Sequence, residues 1–108
     1  MSKKKKNKTI LGFDTVEVLG HTFKIIETDN NELLTLGREI SFGIAKFYDN
    51  VIYIDSRQSY QNIHQVFYHE LLHVIDWISH NEAIVYDEEC VNVLARGLAT
   101  VKIDKNGR

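Results

Sequence analysis

An α+β fold is predicted: a short antiparallel β-sheet built from hairpins packs on a buried helix carrying His69-Glu70-Leu71-Leu72-His73, and a second helix bearing a glutamate follows. Three observations lead to it. In the first half, β-branched and aromatic residues alternate with polar ones in two stretches bounded by turn residues. Between Gln58 and Ser79 there is neither glycine nor proline, and apolar residues recur around most of a helical circumference. From Asp87 to Thr100 a shorter stretch shows one apolar stripe at helical spacing.

The strands come first along the chain. VEVLGHTFKIIET, lying between Asp14 and Asp29, reads as two β segments around Leu19, Gly20 and His21. Glu32 to Arg38 has no clear period and fits a helical turn or a loop equally well. Ile40 to Tyr48 alternates through Phe42, Ile44 and Phe47, Asp49 and Asn50 make a turn, and Val51 to Ile54 returns, which together predict a β-hairpin. Asp55 and Ser56 then stand where a helix N-cap belongs.

The segment from Gln58 to Ser79 places Ile63, Val66, Phe67, Leu71, Leu72, Val74, Ile75, Trp77 and Ile78 around the helix, which therefore belongs at the centre of the domain. A linker from His80 to Tyr86 leads to the last helix, whose predicted core face is Val91, Leu94, Ala95 and Leu98.

With 108 residues the chain fits one domain, expected to span 10–103 behind a basic tail at 1–9 that holds Lys3, Lys4, Lys5, Lys6 and Lys8. A hydrophobic fraction of 44% and a charged fraction of 26% are ordinary for a globular protein, and no apolar run approaches the roughly 20 residues of a membrane span. Net charge of −2 argues against nucleic-acid binding through a general positive field. The lysine run lacks the apolar stretch of a secretory signal, and the single cysteine, Cys90, excludes an intramolecular disulfide and suits a reducing compartment. A cytoplasmic location is expected.

The chemistry sits in the central helix. Residues four apart on an α-helix project from one face about 6 Å apart, so His69 and His73 can share one tetrahedral zinc ion. Glu70 lies beside that ion without ligating it and can take a proton from zinc-bound water. Two histidines and a carboxylate on so apolar a helix would cost several kcal/mol, on the order of the penalty for unpaired polar groups, unless paired or metal-bound.

A catalytic zinc needs a third protein ligand and an open position. His80 is seven residues past His73 with no glycine between, out of reach while the helix continues. On the last helix, Glu88 shares a stripe with Val91, Asn92, Ala95 and Ala99, whereas Glu89 shares one with Val93, Arg96 and Thr100. Glu88 is therefore the favoured third ligand and Glu89 the alternative. Asn92, one turn beyond Glu88, and Asp76, three residues past His73, are candidates to accept a hydrogen bond from a ligating imidazole. Cys90 reads as a small buried apolar residue. Nothing singles out an oxyanion donor among Tyr53, Tyr60, Tyr68, Tyr86 and His80.

With His69-Glu70-Leu71-Leu72-His73 followed by Glu88-Glu89-Cys90-Val91-Asn92-Val93-Leu94-Ala95, the chain resembles the small gluzincins of the ImmA/IrrE type and related phage-encoded peptidase-like proteins. The resemblance covers roughly Ile40 to Thr100. It implies a minimal zincin-like fold, with a glutamate third ligand on the next helix four residues before an Asn or Asp that supports a histidine. Glu88 and Asn92 match that spacing. It also implies an edge strand that binds an extended peptide by β-addition. The Leu-Met-Pro segment common in those proteins is absent and Val91 replaces an alanine, which places the chain at the family's edge or in a phage-type branch acting in the host cytoplasm.

The expected function is zinc-dependent endopeptidase activity, with His69, His73 and Glu88 on Zn2+ and Glu70 as general base, acting on a protein or peptide bound along a β edge. The competing expectation is a catalytically silent, zinc-stabilised protein-binding module. Neither involves nucleic acid or membrane.

Overall fold

The computed structural model describes residues 9–79 and 87–101. The basic tail apart from Thr9, the linker from His80 to Tyr86, and the end of the expected domain past residue 101 lie outside the described residues.

Strands β1 (Thr15–Val18) and β2 (His21–Thr28) form the first hairpin, with Val18 opposite His21. Leu19 and Gly20 both take positive φ, the backbone that a two-residue hairpin loop requires to follow the twist of its strands. The carboxylate of Glu27 accepts the backbone N–H groups of Ile10 and Leu11 at 2.9 and 3.0 Å, tying the preceding segment to β2 and burying Leu11.

The ambiguous stretch resolves into a single turn of helix, α1 (Asn31–Leu34), capped by the Asn30 side chain, and a small hairpin of β3 (Thr35–Leu36) and β4 (Glu39–Ile40). The predicted strand from Ile40 to Tyr48 is thus divided. Ile40 pairs in the small hairpin, and only β5 (Gly43–Lys46) joins the main sheet before a 3-10 turn at Phe47–Asp49 and a left-handed Asn50 return the chain into β6 (Val51–Asp55).

The main sheet has the order β1-β2-β6-β5. Its two hairpin pairs are antiparallel, but β2 and β6 run parallel, so the sheet is mixed where a wholly antiparallel one was predicted. The excursion between Thr28 and Val51 is long enough for the crossover that parallel strands need. Flanked by β2 and β5 and buried at four of its five positions, β6 is an inner strand, which explains its nearly unbroken apolar run.

Helix α2 (Tyr60–Ser79) crosses this sheet, and its Ile63, Phe67 and Val74 pack on Phe23, Ile25, Ile52 and Ile54. Each such side chain contributes about 1.5–3 kcal/mol through burial. Helix α3 (Glu88–Ala99) packs on α2 through Val91, Ala95 and Leu72. Leu94 and Leu98, predicted on the core face, are instead 43% and 39% exposed, because the contact follows the single stripe of small residues one position round. No helix among the described residues is long and apolar enough to cross a membrane.

Asp55 does not cap α2 as predicted. Its backbone N–H bonds Phe42 C=O, and its carboxylate receives the backbone N–H of Arg57 and the Arg57 guanidinium at 2.8 and 3.0 Å. The helix begins later, where Ser59 Oγ accepts the N–H of Asn62. Arg57 also reaches Asn31 Oδ1, so this fork ties α1 to the end of β6. The side-chain hydrogen bonds from Arg57 hold the Asp55 carboxyl below its usual range, against the opposing effect of burial. A depressed carboxylate stabilises the fold above the unfolded-state value of about 3.9 and loses that contribution as pH falls through the folded value. Asp55→Asn should therefore unfold at a lower denaturant midpoint than the wild type at pH 7, with the difference closing below about pH 4.

Candidate metal centre

Helical periodicity brings His69 and His73 onto one face of α2, their ring centroids 4.9 Å apart. The α2–α3 contact at Leu72, Val91 and Ala95 sets the first turn of α3 over them. Asp87 caps that helix by accepting the N–H of Cys90 at 3.1 Å, which leaves Glu88 as its first residue. Glu88 Oε2 lies 2.7 Å from His69 Nε2, and Glu88 Oε1 lies 3.5 Å from His73 Nε2. One ligand atom from each of the three residues falls within 4.8 Å of the other two, the one such group among the described residues.

Two imidazole nitrogens and a carboxylate oxygen are a donor set suited to zinc, and tetrahedral ligands at about 2.0–2.1 Å stand about 3.4 Å apart. The contacts to Glu88 straddle that spacing, and the three ligand atoms lie within 4.8 Å of one another. Glu89, the alternative ligand, is exposed and outside the group.

Glu70 projects toward β5, whose outer edge pairs with no strand among the described residues. Because Phe42 C=O pairs with Asp55 N–H, the alternation of an antiparallel ladder turns the backbone groups of Gly43 and Ala45 toward that open edge. Burial raises the Glu70 carboxyl above its usual range; the nearby His69 and a backbone hydrogen bond from Ala45 pull it down, and the charge of Glu88 pushes it up.

Gly43 makes this approach possible. A Cβ there would collide with Cγ1 of Val66 and lie 3.3 Å from Cγ of Glu70. Valine in a helix is held to one χ1 rotamer and cannot turn aside. Gly43→Ala should therefore cost about 1–3 kcal/mol in denaturant unfolding, as overpacking does. An isolated glycine in a strand pattern marks a bulge or a close backbone approach, and that signal could have singled out Gly43 from the sequence.

A cleft of about 810 Å3 runs along β5 and past the three metal-suited side chains and Glu70. Asn92 lines it but makes no hydrogen bond to either imidazole among the described residues, and its predicted role is not seen. Asp76 is buried on α2 three residues beyond His73. Cys90, predicted to be buried, is exposed. Tyr53, Tyr60 and Tyr68 do not line the cleft; Tyr86 and His80 lie outside the described residues.

A strand edge was expected to take substrate, but Leu36 and Glu39 of the β3–β4 hairpin were not foreseen as parts of the site. Compared with protein-family models, curated proteins and solved structures, the chain matches none of them.

Proposed function

We propose that this protein is a zinc-dependent endopeptidase of the cytoplasm. The observation that carries the reading is the convergence of His69, His73 and Glu88 from two helices beside Glu70, in a cleft that runs along an unpaired strand edge. The resemblance to ImmA/IrrE-type gluzincins supports it through the same four residues.

Zinc, when bound there, supplies Lewis acidity that lowers the pKa of water toward about 7 and polarises a carbonyl. Glu70 takes the proton of the attacking water and returns it to the leaving amine, a role suited to a carboxyl kept partly from solvent and raised in pKa. The outward N–H and C=O groups of Gly43 and the outward C=O of Ala45, whose N–H already bonds Glu70, hold an extended substrate by β-addition.

The second reading is a silent zinc-stabilised binding module that uses the same three side chains, His69, His73 and Glu88. The two readings part on turnover. Zinc-loaded protein incubated with a denatured protein mixture is expected to generate new N-termini, to stop when the metal is chelated, and to resume when zinc is restored. Zinc uptake with no cleavage would leave the module.

A further inference from the structure

Three large apolar side chains crowd one side of the cleft and stay in water: Leu36 is 65% exposed, Ile40 55% and Phe42 67%. Contiguous exposed apolar groups at the rim of a polar site mark a surface that receives something. Their frame is fixed. Gly37, at positive φ, turns the β3–β4 hairpin, Ser41 N–H bonds Leu34 C=O at 2.8 Å, and Phe42 C=O accepts both Asp55 N–H at 2.8 Å and Gln58 Nε2 at 3.2 Å. A wall pinned in this way loses little entropy when it is covered.

Charge narrows the occupant further. Among the described residues, the ionisable groups lining the cleft apart from the two histidines are Glu39, Glu70 and Glu88, and no lysine or arginine lines it. Glu39 lies on β4 beside Ile40, so the apolar wall carries an acid at its own rim. The wall is also continuous in the chain with β5, since Phe42 directly precedes Gly43 at the open edge.

We propose that the β3–β4 hairpin and Phe42 form the specificity wall of the cleft, seating a bulky apolar side chain of an extended peptide beside the metal centre and disfavouring acidic neighbours. This inference rests on the peptidase reading above. A residue paired on the edge of β5 brings its neighbours' alternate side chains against such a wall, the way strand addition sorts ligands. Leu36, Ile40 and Phe42 supply the apolar cover, and Glu39 at its rim repels carboxylates.

The test uses full-length zinc-loaded protein whose metal content has been measured, titrated calorimetrically with N-acetyl amino-acid hydroxamates bearing leucine, phenylalanine, glycine or aspartate side chains. Leucine and phenylalanine hydroxamates are expected to bind at least about tenfold more tightly than glycine hydroxamate, the discrimination that even one methylene in an apolar pocket can reach, and aspartate hydroxamate more weakly still. Ile40→Ser and Phe42→Ser should collapse the leucine-to-glycine ratio toward one. Leu94→Ser, an exposed apolar position on α3 outside the cleft, should keep it. Equal binding of all four ligands by zinc-loaded wild type, or a ratio that survives in both hairpin variants, overturns the wall while leaving the metal centre standing. A chain that takes up no zinc overturns both.

Discussion

Glu70→Gln is expected to lower peptide hydrolysis by roughly 10²–10⁴-fold while zinc remains bound, the loss typical of removing a general base. The amide keeps the size and hydrogen-bonding reach of the carboxylate but cannot accept the proton. It should not disturb the metal, because Glu70 is not among the three side chains whose ligand atoms converge. Metal content and turnover on the same preparation check this; loss of zinc together with turnover would make Glu70 a support of the centre rather than its base.

The same variant makes a second, opposite prediction for the metal-free protein. Burial raises the Glu70 carboxyl, so the folded chain holds that proton more tightly than the unfolded chain does. The metal-free fold therefore loses stability as pH rises from the ordinary value of about 4.3 through the raised one, and glutamine escapes this loss. Metal-free Glu70→Gln should melt with the wild type below about pH 4 and above it at pH 8.

Glu88→Ala is the second large effect. It removes one of three protein ligands, and zinc affinity should fall by more than about 100-fold, beyond the range seen when only an outer partner of a ligand is lost. A hundredfold loss removes about 2.7 kcal/mol of zinc-linked stabilisation at a fixed, near-saturating zinc concentration. The rise in melting temperature on adding zinc should thus be large in the wild type and nearly absent in Glu88→Ala. Glu89→Ala, on the exposed side of the same turn, should behave as the wild type. Equal zinc response in wild type and Glu88→Ala would remove Glu88 from the centre.

Legibility in the sequence followed the range of the interactions involved. His69, Glu70 and His73 were readable because their juxtaposition is a property of one helix, and Glu88 was preferred over Glu89 because the stripe it shares with Val91 and Ala95 is local as well. The hairpin turn at Leu19 and Gly20 was equally local. The parallel pairing of Ile25 with Ile52 was not readable, since it depends on how a distant hairpin docks, although the nearly unbroken apolar run of β6 carried a trace of it. Asp55 was misread as a cap because a nearby arginine competes for the same carboxylate. Leu94, Leu98 and Cys90 were assigned to the interior by residue type and spacing, but α3 buries only its small-residue stripe. The apolar hairpin wall was missed for a related reason: periodicity finds side chains that face a core, and Leu36, Ile40 and Phe42 face a cleft.

The central claim is that His69, His73 and Glu88 hold zinc, and elemental analysis of wild-type protein purified without added metal or chelator tests it most directly. One equivalent of zinc per chain is the expected result. A chain that carries no zinc, and takes up none when zinc is supplied, would contradict the claim and leave the contact between Glu88 and the two histidines as a surface ion pair.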